Sequence, residues 1–255
     1  LGLAADLGKV YESVLPALAS DIELSTALGD ITARTDFTKA LTQLTPDISD
    51  ASRIAALNAI NLSQTAVRRR MEGLSRTLDE PLGRYRTSYW AQVYGTYGNQ
   101  NTAQNAAGTT VPGYRAVTGG LSAGIDGELD RNWLGGVSLS QTESYMTGKD
   151  NSGRKSDLSS TAFDFYTRAN IDPLFVQGIV GFAYDTHSST RDVAFGTIAR
   201  TAQSDWTGNQ VTTAVDAGAD LPLGSGHLVP YLRGAYARIY QQAHKETGAS
   251  DGADL

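Results

Sequence analysis

The chain has 255 residues, 40% of them hydrophobic and 19% charged, with a formal net charge of −6 and a mean hydropathy of −0.27. Weak acidity argues against nucleic acid as a partner, which calls for a basic groove or patch. The absence of cysteine excludes disulfides and thiolate metal sites, and no apolar run approaches the ~18 residues of a transmembrane helix.

Composition divides the chain near residues 80–88. Of 27 glycines, 22 lie after Ser88, as do 18 of the 21 aromatics, whereas the earlier part is rich in Ala, Leu, Ser and Thr. The opening LGLAADLGKV lacks the basic segment and long apolar core of a secretory signal, so either a signal has been removed or the chain begins inside a longer protein. Leu7 to Leu28 and Thr35 to Leu44 read as short amphipathic helices, broken by Pro16, Gly29 and Pro46. Residues 1–48 are therefore a helical tail.

Residues 49–88 hold a longer helix and its connection. Ile54, Leu57, Ile60, Val67, Met71 and Leu74 recur at spacings near three and four, with Gln64 filling the gap in the stripe. Ser49, Asp50 or Ser52 is placed to cap its start, and Gly73, or Gly83 with Pro81, marks its end. About 26 residues give ~39 Å, comparable with a bilayer. Ala55, Asn58, Ala59, Ser63 and Ala66 make the outer face neutral and small, suited to close packing inside something. The basic run Arg68-Arg69-Arg70 lies toward its C-terminal end.

Residues 89–255 alternate with period two in about seven segments: 89–97, 114–126, 132–145, 156–169, 174–186, 206–221 and 228–241. From Gln210 to Leu221, for example, Val211, Thr213, Val215, Ala217, Ala219 and Leu221 oppose Gln210, Thr212, Ala214, Asp216, Gly218 and Asp220. Alternation alone fits a soluble sandwich or a membrane barrel. Three features favour the barrel. The segments exceed the ~5–6 residues of globular strands, whereas ~9–11 tilted residues cross a bilayer. Connections alternate long and short, as in an up-and-down barrel with long external loops and tight periplasmic turns. Aromatics gather at segment ends, with Tyr89, Trp90, Tyr97, Trp133 and Trp206 the expected interfacial residues.

A charge facing lipid is expensive, so Asp164, Arg168, Asp216 and Asp220 are expected to point inward, where the acids are positioned to meet Arg68, Arg69 or Arg70. Gly120-Leu121-Ser122-Ala123-Gly124 matches G-x-S-x-G, yet it lies mid-strand with no helix following, so a hydrolase using Ser122 is disfavoured. His187, His227 and His244 lack ligand spacing, and no phosphate-binding glycine loop occurs. No cofactor, metal or catalytic residue is expected.

A small-residue helix carrying arginines, followed by Tyr89-Trp90-Ala91-Gln92-Val93-Tyr94-Gly95-Thr96-Tyr97-Gly98, resembles the translocator domain of type Va autotransporters. So do the stretches GLSAGIDGELDRNWLGGVSLSQ and LVPYLRGAYAR, and the upstream LTQLTPDISDASRIAALNAINLSQTAVRRRMEGL. The likeness covers roughly residues 40–245. It implies a transmembrane up-and-down antiparallel β-barrel in the bacterial outer membrane, all-β, with the N-terminal helical segment threading its lumen. It also implies export of an N-terminal passenger, contact with outer-membrane lipids, and insertion by the barrel-assembly machinery. The resemblance further implies a barrel of about twelve strands, so seven would be an incomplete set with two bare edges, which lipid does not tolerate. A porin-like or adhesive barrel with a plug segment is the competing reading. Some members of the family cleave themselves at an Asn-Asn pair in the pore helix. Here Asn58 and Asn61 are separated by Ala59-Ile60, so self-cleavage is not expected.

Overall fold

The computed structural model describes residues 15–16, 18–44, 50–75, 87–104, 110–111, 113–130, 132–149, 153–243 and 245–249. Three helices whose bounds lie wholly among the described residues come before the strands: α1 (Ile22–Gly29), α2 (Arg34–Leu44) and α3 (Asp50–Ser75). Asp21 caps α1, its Oδ1 accepting from the Leu24 amide at 2.9 Å, and Glu23 adds favourable charge in the first turn. Seven long strands follow: β1 (Thr87–Gln100), β2 (Tyr114–Asp130), β3 (Trp133–Gly148), β4 (Lys155–Ile171), β5 (Leu174–Phe195), β6 (Ile198–Ala219) and β7 (Tyr231–Gln241). They form one antiparallel sheet in strict chain order, an up-and-down meander in which β1 and β7 are not paired with each other. The predicted cap Ser49, the breakers Pro46, Pro81 and Gly83, and His244 lie outside the described residues.

Successive side chains of a strand point to opposite faces, and here one face wraps around α3. Its polarity is the reverse of a soluble core. On β4 the buried positions are Ser156, Leu158, Ser160, Ala162, Asp164, Tyr166 and Arg168, while Phe163 and Phe165 face outward. Helix α3 is seated on the polar, small-residue side by three apolar contacts. Ala55, Ala56 and Ala59 meet Ala116, Met146 and Leu158; Ile60 meets Ala162 and Ala183; Val67 and Met71 meet Leu134, Tyr166 and Ile179. The first group lies near the ends of strands that lead into the long loops, and the last near the tight turns. The helix therefore runs antiparallel to β1, from the long-loop rim to the tight-turn rim.

One predicted loop is not a loop. Residues 187–205 continue β5 and β6 as a paired hairpin, in register from Leu174↔Ala219 to Phe195↔Ile198. Gly196 occupies the first turn position with φ +56°, a conformation that favours glycine. Strand β4 pairs with β5 only as far as Lys155↔Thr190, and β7 with β6 only as far as Gln241↔Gly208, so the hairpin tip projects beyond its neighbours. Its Ser- and Thr-rich stretch reads as loop because its apolar partners are remote in sequence. Val193, Ile198 and Ala202 pack against Leu18, Leu24, Ala27 and Leu28, and against Ala40, Leu41 and Leu44 of α2. At the opposite rim, between β6 and β7, Leu221–Leu223 pairs with Gly226–Leu228 in a small separate hairpin.

Candidate functional site: a helix-filled lumen

The lumen wall is built by an aromatic-over-glycine arrangement that accounts for the odd composition of residues 89–98. Tyr94 lies over Gly120 and Trp90 over Gly124, where a Cβ would meet ring atoms at 2.6 Å and 2.7 Å. Tyr166 covers Gly136 and Phe175 covers Gly218 in the same manner. Glycine is thus required on one strand because the neighbouring strand lays an aromatic ring across it. Between the two glycines of the G-x-S-x-G stretch, the Ser122 Oγ shares a hydrogen bond with the Ser140 Oγ at 2.6 Å. Its partner is a second serine, not a base, and no nucleophile elbow is present.

Three polar ties fix α3 to the wall at different depths. Near the long-loop rim the Gln210 Nε2 donates to the Ala56 carbonyl at 3.4 Å and to Asp185 Oδ2 at 2.5 Å. At mid-depth the Gln64 Nε2 donates to Thr212 Oγ1 at 2.7 Å. There Gly181 leaves the room that the Asp164 carboxylate, Thr212 and Gln64 share. Near the tight-turn rim Arg70 grips Asp126 in a fork, Nε to Oδ2 at 2.8 Å and a terminal nitrogen to Oδ1 at 3.0 Å. Tyr166 donates to the same Oδ2 at 3.0 Å, and Trp90 donates its indole N–H to the Tyr166 hydroxyl at 2.7 Å. A bidentate guanidinium–carboxylate pair is directional as well as strong, so this chain sets both the depth and the rotation of the helix.

The predicted lumen residues are thus only partly brought together. Arg70 meets Asp126, not Asp164, Asp216 or Asp220; Arg68 is half-buried and Arg69 exposed. Asp164, Arg168 and Asp216 do face inward and are buried. The last two belong to a separate belt. Arg168 donates to Gln177 Oε1 at 2.8 Å and covers the Phe175 ring at 4.0 Å, Gln177 donates to Asp216 Oδ2 at 2.8 Å, and Arg233 lies 3.6 Å from Asp216. Asp220 is beyond that belt, beside His227 at 2.8 Å. Asp126 is the next polar-face position after Thr118, Gly120, Ser122 and Gly124, so the alternation of β2 carries the signal for it. Asn58 and Asn61 lie on the exposed side of α3.

The outward face carries an apolar belt. On β5 it runs Leu174, Val176, Gly178, Val180, Phe182, Tyr184, and on β6 Val211, Thr213, Val215, Ala217, Ala219, without a charge. Leu174 to Tyr184 is 11 residues, within the ~9–11 that a tilted strand needs to cross a bilayer. Beyond it the same face turns polar, with Thr186, Ser188, Thr190 and Asp192. Tyr89, Tyr97 and Trp133 face outward and are exposed, at 81%, 60% and 52%. Trp90 and Trp206 do not. Trp90 is turned into the lumen over Gly124, and Trp206 is buried with its ring stacked on His187 at 4.9 Å between centroids. Both lie at inward positions of the alternation, which a count of aromatics at strand ends overlooks. On β7 the outward Arg238 stacks on Tyr240 at 4.5 Å.

An apolar exterior, a polar interior and a helix seated along it describe a membrane barrel wall with a plugged lumen. The family model named autotransporter beta-domain matches residues 89–255. The chain belongs to the autotransporter β-domain family. Among solved structures it is similar to the translocator domain of the autotransporter NalP from Neisseria meningitidis, with 18% identity and a TM-score of 0.55. That match covers 80% of this chain and 65% of the other, so the chain spans about two thirds of its structural relative. No curated protein matches by sequence. As an autotransporter β-domain, the strand region is an outer-membrane, type V secretion module with the meander of a translocator barrel, its sheet unclosed between β1 and β7.

Proposed function

We propose that this autotransporter β-domain anchors an N-terminal passenger in the bacterial outer membrane and exports it to the cell surface, with the long-loop rim outside and the tight turns in the periplasm. The carrying observation is the path of α3. The chain passes along the polar concave face from the long-loop rim to the tight-turn rim before β1 begins, so whatever precedes residue 50 stands on the long-loop side. In this reading residues 1–48 are the passenger's helical tail, 49–88 the pore-borne linker and 89–255 the N-terminal part of the translocator. Outer-membrane lipids contact the belt, and the barrel-assembly machinery inserts it. The task is transport and attachment, with catalysis left to the passenger.

The test uses the full-length protein in a Gram-negative outer membrane. A gel shift between unboiled and boiled detergent extracts, together with cleavage at residues 18–44 by protease added to intact cells, supports the reading. A heat-modifiable barrel whose residues 18–44 are cut only after outer-membrane permeabilisation reverses the orientation.

A further inference from the structure

The projecting hairpin carries a built interface that pore function alone does not require. Its lumen-side face changes character with height: Asp185, His187, Ser189 and Arg191 give way to Val193 on β5, and Ile198 and Ala202 continue the apolar patch on β6. On this patch Leu24, Leu41 and Leu44 are fully buried, with Leu28 nearly so. Polar contacts fix the register. Arg200 pairs with Asp21 at 2.5 Å and Glu23 at 2.7 Å, and the Ala194 amide donates to Gln43 Oε1 at 2.8 Å. Gly196 at the tip lies against α1, a Cβ there falling 3.5 Å from Ala27. The hairpin is itself braced from β7's side: Arg191 and Glu246 form a buried forked ion pair, Gln203 exchanges backbone hydrogen bonds with Thr247, and Ala249 joins the apolar cluster.

Resting on the export reading above, we propose that the β5–β6 hairpin is a receptor for residues 18–44 of its own chain, and that their docking latches α3 in the lumen once export is complete. The lumen face is already occupied by α3, and the leucines of α1 and α2 find their partners only beyond the rim. The cap therefore forms outside. Withdrawing α3 toward the periplasm requires the cap to unfold first, so the docked helices act as a stop on the far side of the pore.

These 255 residues hold no cysteine, and any cysteine elsewhere in the full-length protein is replaced by serine before the test. In intact cells displaying the full-length protein, Glu23→Cys with Arg200→Cys, two positions whose side chains meet across the interface, is treated with a short, membrane-impermeant thiol cross-linker. An intramolecular cross-link is the expected result, and intermolecular products would overturn the proposal in favour of docking between copies. In parallel, Arg200→Glu places an acid against Asp21 and Glu23 at a position outside the lipid-facing belt. It is expected to raise the rate of external proteolysis within residues 18–44 at least ~10-fold, because cleavage follows the open population, while the gel shift stays intact. Glu23→Lys in that background restores protection and leaves the Asp21 cap in place. If the barrel is heat-modifiable and the passenger external, yet cross-linking fails and Arg200→Glu is cut no faster than the parent, the latch is refuted and the translocator reading stands. Loss of the gel shift in the parent protein would instead refute the translocator reading and the latch with it.

Discussion

The two halves of the β5–β6 hairpin use one ladder with opposite polarity on their faces. Between Leu174 and Tyr184 the outward side chains are apolar and the inward ones include Gln177 and, across on β6, Thr212 and Asp216. Beyond Ser188 the outward side chains are Thr190, Asp192, Thr201 and Gln203, while Val193, Ile198 and Ala202 are buried beneath α1 and α2. The register does not change across the switch. On the export reading, what changes is the medium outside the wall, lipid below and water above, and therefore which face must be apolar. Strand alternation says only that the two faces differ. The identity of the solvent decides which is the core.

Variants can break that comparison at either end. The largest effect is expected inside the lumen. Asp126→Ala leaves the part-exposed Arg70 guanidinium without its fork, removing two charge-assisted hydrogen bonds worth about 1.5–3 kcal/mol each. Hydrogen exchange of α3 in detergent should accelerate accordingly, with the strand amides nearly unchanged. If α3 exchange is unaffected, this pair does not set the helix.

In the upper half, Leu41→Ala removes a fully buried side chain from the cap, at about 2–5 kcal/mol. Exchange or proteolysis should rise at residues 18–44 while α3 remains protected. Equal loosening of both would mean that cap and lumen are one cooperative unit.

The belt offers a paired test. Val180→Lys puts an ammonium in the apolar band, which costs about 2–4 kcal/mol at the bilayer midplane. Ala199→Lys places the same charge on the outward face of the upper hairpin and should stay within about 0.5 kcal/mol of the parent. Urea-dependent loss of the gel shift measures both. Similar sensitivity at the two sites would move the upper hairpin into the membrane.

The smallest expected change is Gln64→Ala. It removes one neutral hydrogen bond to Thr212, about 1 kcal/mol. A modest rise in α3 exchange, well below that of Asp126→Ala, would rank mid-depth contact beneath the Arg70 fork.

Much was legible before any coordinate. Long alternating segments, the beat of long and short connections, and the small-residue helix ahead of Tyr89 are local properties, because a strand's two faces and a helix's stripe are written at periods of two and 3.6 residues. Depth along the lumen was partly legible too: Arg70 lies near the C-terminal end of α3, and Asp126 near the turn-side end of β2. Angle around the wall was not, since the rotation of α3 relative to the strands depends on which side chains fit together across the lumen. Hence Asp126, and not Asp216, meets the guanidinium. Trp90 and Trp206 were misplaced for a related reason: position near a strand end sets height, while parity within the strand sets the face. The apolar surface that packs against α1 and α2 was beyond sequence reasoning altogether. Its two sides are separated by some 150 residues between Gln43 and Ala194, and only the folded hairpin brings an apolar patch to the leucines of α1 and α2.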